Sequence, residues 1–187
     1  MSIAIGQLAP TFKRQTYKGD TVELDQYRGQ KVWLGFYRWA SCPLCNLRMS
    51  ELLEHHREFE KAGIQLIGVF QSPAENIEKY VGKQGIPFPI IPDPELELYA
   101  TYGVHARLAG MFYPRVIGRA LRAMAKGFFS LHMDGPKAMV PADFLVDPEG
   151  VVWKAYYGSA VSDHIPFDEV REFGADLCLD MPTAPAA

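Results

Sequence analysis

The chain has 187 residues, 48% hydrophobic and 22% charged, with a net charge of −3. That length builds one well-buried domain with too little left for a second, and the ordinary composition excludes fibrous or disordered classes. The acidic balance argues against nucleic acid as the main partner, no apolar run reaches the roughly 18 residues of a membrane helix, and Met1–Gln7 lacks the basic start and apolar middle of a signal peptide.

Thr11–Tyr17 and Thr21–Leu24 flank the turn residues Lys18-Gly19-Asp20, a hairpin signal. Val32–Tyr37 is a short continuous apolar run, as expected of a strand covered on both faces. A helical stretch follows from Pro43 to about Ala62 and stops at Gly63. Ile64–Phe70 reads as a second buried strand. Ser72-Pro73-Ala74-Glu75 then opens a helix, with Ser72 as the expected cap and Glu75 closing a capping box.

Phe88–Ile91 is a short strand candidate, and a short helix ends near Tyr102-Gly103. Ala142–Val146 and Val151–Tyr156 are joined by Asp147-Pro148-Glu149-Gly150, a second hairpin. The last helix is expected from Phe167 to Leu177, with a frayed tail after it. Strands alternating with helices predict a central mixed sheet covered on both faces.

Three cysteines do not make a disulfide framework, but Cys42 and Cys45 stand three residues apart. In a chain without export signals such a pair reads as redox, catalytic or metal-binding, and the expected compartment is the reducing cytoplasm. Pro43 suits the first helical position, so Cys42 falls at the cap and Cys45 on the first turn. Both sulfurs then share one side of the helix, at the positive end of its dipole, where thiolate is favoured over thiol. Arg38 and Arg48 flank the pair and add positive potential.

A zinc half-site is the first alternative, but no second pair exists, and His55 and His56 lie too far along the same helix. Two inert buried cysteines are the second alternative. The strand–CxxC–helix context favours redox chemistry over both. Cys178, between two leucines, reads as a core residue, and His105 and His132 as surface or packing residues.

Gly6, Ala9-Pro10, Phe12, Gly19, Val22-Glu23-Leu24, Gly29 and the strand ending Phe36-Tyr37 together resemble the opening of the peroxiredoxin family (alkyl hydroperoxide reductase and thiol-specific antioxidant proteins). Pro141–Asp147 with Gly150 resembles the second half of that thioredoxin-like fold, and Phe36-Tyr37-Arg38 with Cys42 to Cys45 is similar to a Cys-Pro-x-Cys branch. The family places a proline seven residues, and a threonine or serine three residues, before its peroxide-attacking cysteine. With Cys45 in that place, those positions hold Arg38 and Cys42. The alternative alignment, to thioredoxin-like reductases, makes Cys42 the exposed nucleophile. In both, the resemblance implies that Pro141 faces the pair, with a cis Val140–Pro141 bond.

From Val104 to Met133 there are five bases and no acid, so the rest of the chain carries −8. Arg115, Arg119, Arg122 and Lys126 follow helical spacing, while Val116, Ile117, Ala120, Leu121 and Met124 form another face. The favoured reading is an inserted helix with its arginines in water. The other is a basic surface for an acidic partner, a second subunit or anionic lipid.

The expectation is one α/β thioredoxin-like domain over 1–179, with an N-terminal β-hairpin, a helical insertion at about 104–133 and a flexible tail at 180–187. The resemblance implies a peroxide-reducing enzyme with no cofactor and no metal. Cys45 would form a sulfenic acid and Cys42 resolve it, with Arg38, Arg48 and Pro141 in support. A thioredoxin- or glutathione-type donor would recycle the pair, and assembly as a homo-oligomer is compatible with this reading. The alternatives are a thiol–disulfide oxidoreductase acting through Cys42, or a redox-sensing binding module.

Overall fold

The computed structural model describes residues 2–106, 114–128, 130, 135 and 138–176. Cys178, Arg107, His132 and the tail at 180–187 lie outside them.

Strands β1 (Lys13–Gln15) and β2 (Thr21–Glu23) form the expected hairpin, in register Lys13↔Glu23. Its turn closes on Thr16, whose Oγ1 accepts the N–H groups of Lys18 and Asp20, and Gly19 supplies the positive φ of 93°. The main sheet holds β3 (Lys31–Phe36), β4 (Ile64–Phe70), β5 (Ile90–Pro92), β6 (Ala142–Val146) and β7 (Val152–Tyr157) in the order β5-β4-β3-β6-β7. β3, β4 and β5 run parallel, while β6 pairs antiparallel with both β3 and β7.

Strand periodicity divides the core in two. Trp33 and Phe70 point to the face covered by α1 (Pro43–Lys61) and α5 (Phe167–Asp176), where they meet Leu52, Phe59 and Phe173. Leu34, Phe36 and Phe144 point to the other face, against Leu98, Tyr99 and Tyr102 in and after α3 (Glu97–Thr101). Gly35 and Gly68 sit side by side in register, Gly35 making room for the Tyr37 ring and Gly68 for the Ile90 side chain. A Cβ on Gly35 would lie 2.6 Å from the Tyr37 hydroxyl. Gly35 thus lets a large ring fold back over the sheet just before the site.

Three details depart from the sequence reading. Helix α2 (Ala74–Lys79) starts at Ala74 after Pro73, and Ser72 does not cap it. The buried Ser72 hydroxyl instead accepts the Ala40 N–H at 2.7 Å, tying the loop before Cys42 to the end of β4. The Val140–Pro141 bond is trans, since no cis bond occurs among the described residues. Gly158 N donates to Pro141 O at 2.9 Å, so the β6–β7 pairing simply continues past Pro141 and nothing opposes the ordinary trans preference.

The insertion carries the third departure. Helix α4 (Pro114–Ala125) packs along α1, with Ala123 fully buried and Val116 and Ala120 half-buried against the core. Its bases are not all in water, because Arg119 meets Glu51 and Lys126 meets Glu54, each at 2.8 Å. Glu51 and Glu54 are one helical turn apart, and the small alanines let α4 approach them. Of the apolar face, Ile117, Leu121 and Met124 are exposed. No helix among the described residues is long and apolar enough to cross a membrane.

Candidate active site

β3 ends at Phe36, and the chain turns through Tyr37–Ser41 into α1. Cys42 is the N-cap residue with φ −62° and ψ 121°, followed by Pro43 at the first helical position. The loop is closely held. Cys42 N donates to Trp39 O at 3.0 Å, and the buried Asn46 amide donates to Ala40 O at 2.6 Å and Cys42 O at 3.0 Å. Gln84 in turn donates to Asn46 Oδ1 at 2.9 Å.

The two sulfurs are neighbours, and each cysteine is only 1% exposed. The Cys45 S–H donates to Cys42, and this bond is the main cause that lowers the Cys42 thiol to about 6. Burial opposes it, while the positive charge of Arg38 helps it. Arg38 Nη1 lies 3.5 Å from Cys42 Sγ, and its guanidinium rests on the Trp39 ring at 4.0 Å. Cys45 moves the other way: burial first, then the bond to Cys42, push its thiol well above the ordinary value. The two cysteines are thus shifted in opposite directions, with Cys42 the more acidic of the pair.

The other site candidates divide. Arg38 stands at the pair. Arg48 is buried one turn deeper and turns to α5, donating to Ile165 O at 2.8 Å and stacking on Phe167 at 4.1 Å. Pro141 sits at the start of β6, its carbonyl bonded to Gly158. His55 pairs with Glu58, and His105 is exposed.

Beneath Tyr37 lies a group of polar residues that the sequence reading passed over. Asp143, fully buried on β6, accepts from Trp33 Nε1 and Ile165 N, each at 3.0 Å, and lies 3.2 Å from His164 Nδ1. Burial alone would raise its carboxyl, but His164, Arg48 and the Ile165 N–H together hold it below the usual value. Burial lowers His164, outweighing Asp143, so the imidazole is neutral near pH 7. Its ring rests on Tyr37 at 5.0 Å. Gln71, just past β4, is also buried, and neither end of its amide has a partner among the described residues. The available signal was a carboxylate inside the apolar run Ala142–Val146, which a buried strand accepts only with partners.

The AhpC/TSA family model matches residues 5–155, which include the whole main sheet except the end of β7. The chain belongs to the AhpC/TSA family. Among its relatives is peroxiredoxin Bcp of Bacillus subtilis, 27% identical over 165 residues, spanning 88% of this chain and 92% of the relative. Among solved structures, a cysteine-to-serine mutant of Xylella fastidiosa PrxQ superimposes with a TM-score of 0.68 at 15% identity, covering 96% of this chain and 98% of that one. The thioredoxin domain of a Bacteroides vulgatus thiol-disulfide oxidoreductase gives 0.54 at 20% identity, covering 92% and 99%. The fold is thus thioredoxin-like, with a peroxiredoxin-like organisation.

Proposed function

We propose that this protein is a thiol peroxidase in which Cys42 attacks the peroxide and Cys45 resolves the product. The supporting observation is the polarity of the pair. Cys42 is the sulfur held as thiolate by the Cys45 S–H, and Arg38 lies at 3.5 Å. This reverses the roles expected from family spacing, because burial and hydrogen bonding keep Cys45 protonated. The Cys42 thiolate attacks the distal peroxide oxygen and the O–O bond breaks, forming Cys42–SOH and releasing alkoxide or hydroxide, which takes up a proton. Cys45 then loses its proton and attacks the sulfenic sulfur, a water leaves, and a Cys42–Cys45 disulfide remains. An external thiol restores both groups.

The same polarity would serve disulfide exchange. Burial of both sulfurs to 1% exposure favours a small oxidant over a protein disulfide. A reducing compartment such as the cytoplasm would keep the pair ready.

A dimedone trap with mass spectrometry tests the assignment. Cys45→Ser should accumulate sulfenic acid at Cys42, open to further oxidation, while Cys42→Ser should trap none and lose turnover. Sulfenic acid at Cys45 in the Cys42→Ser variant would restore the opposite assignment.

A further inference from the structure

Beside the cysteine pair is a groove of about 260 Å³, lined by Ser41, Asn46, Lys79, Tyr80, Lys83 and Phe128 together with Gly127 and Ser130. Its position follows from the local chain. Ser41 precedes Cys42 and Asn46 follows Cys45, so one wall of the groove is built by the chain neighbours of the two cysteines. Lys79 ends α2, and Lys83 follows one turn later on the same exposed edge. Both charged side chains among the described lining residues are therefore cationic, in a chain of net charge −3. Phe128 and Tyr80 supply apolar surface between them.

Resting on the thiol peroxidase reading, the geometry points to this groove as the entry site for the recycling reductant, and to that reductant as a small anionic thiol. With Cys42 and Cys45 each 1% exposed, a protein donor has no exposed sulfur to meet, whereas the groove can hold a small thiol against Ser41 and Asn46, the chain neighbours of the two cysteines. Two lysines at the mouth raise the local concentration of a carboxylate-bearing molecule. The incoming thiolate attacks the Cys45 sulfur, and the Cys42–Cys45 bond breaks. Cys42 leaves as the thiolate, with Arg38 Nη1 3.5 Å from its sulfur to stabilise the charge. A second thiolate then attacks the donor sulfur of the mixed disulfide, Cys45 takes up a proton, and a small disulfide departs. Two thiols are oxidised for each protein disulfide reduced.

The test uses the whole protein, oxidised with one equivalent of hydrogen peroxide, and follows disulfide reduction by glutathione and by the uncharged 2-mercaptoethanol. The exposed Lys79 and Lys83 can be replaced without disturbing the fold. Lys79→Glu/Lys83→Glu should slow reduction by glutathione at least about tenfold, leave reduction by 2-mercaptoethanol within about twofold, and remove the salt dependence of the glutathione rate. Equal loss with both thiols, or no loss with either, overturns the inference. Slower oxidation of the reduced variant by an anionic peroxide, with reduction unchanged, would give the groove to the oxidant and overturn it too. If peroxide fails to oxidise even the wild type, the peroxidase reading falls. The disulfide can then be made with a chemical thiol oxidant, and the groove is judged by the same two rates.

Discussion

At an N-cap, serine or aspartate would accept the free N–H groups of the first turn. Cys42 puts a sulfur there, which fills that role well only as an anion. Its acidity rests first on the Cys45 S–H, then on Arg38, with smaller help from the N–H groups of Cys45 and Leu44. The rate of peroxide consumption should therefore rise with pH around a midpoint of about 6 and level off above it. Thiolate absorbance should titrate at the same point. Cys45→Ala should raise that midpoint more than Arg38→Met, following the order of the two causes. A midpoint still near 6 in Cys45→Ala would remove Cys45 from the account.

Among the elements, α4 is the one least like the rest. It docks through Ala123, Val116 and Ala120 and two ion pairs, while Ile117 and Leu121 stay outside. Ala123→Arg should release the helix, seen as faster hydrogen exchange across 114–125, at a cost of about 1–3 kcal/mol for overpacking. Ile117→Lys, on the open face, should change stability by no more than about 0.5 kcal/mol. Protection unchanged in Ala123→Arg would mean that the helix is held elsewhere. The periodicity of this segment was legible in the sequence, but its inward face was not. Apolar residues ordinarily mark the buried side of a helix, and here the acids of α1 draw the basic flank inward. Ser72 misled for a related reason. Its composition signals a cap, yet the nearer unpartnered donor was Ala40 N, thirty-two residues away in sequence.

Across the whole molecule, the strands, α1 and the cysteine pair were legible because each rests on local pattern: short continuous apolar runs, proline at the first helical position and glycine at the stops. The polarity of the pair and the Asp143 group were not, because both depend on contacts between distant segments. Asp143 joins β6 to Trp33 on β3 and to His164 and Ile165 before α5, and Arg48 from α1 completes the group through Ile165. This buried group gives stability a sign that can be checked. His164 is held neutral, its folded pKa below the ordinary 6.5, so below that pH the unfolded chain binds a proton that the folded chain resists. Stability is therefore lost as pH falls from 6.5 toward the folded value, at up to about 1.4 kcal/mol per pH unit. Asp143, also lowered, adds a further loss below the ordinary carboxylate value of 3.8, as pH falls toward its folded pKa. Urea midpoints measured from pH 7 to pH 5 should fall more steeply for wild type than for His164→Gln. The glutamine keeps a donor for Asp143 but has no proton to gain. Comparing the two slopes cancels any contribution from Cys42, which both proteins share. Parallel slopes would show that His164 is not the group whose protonation destabilises the fold.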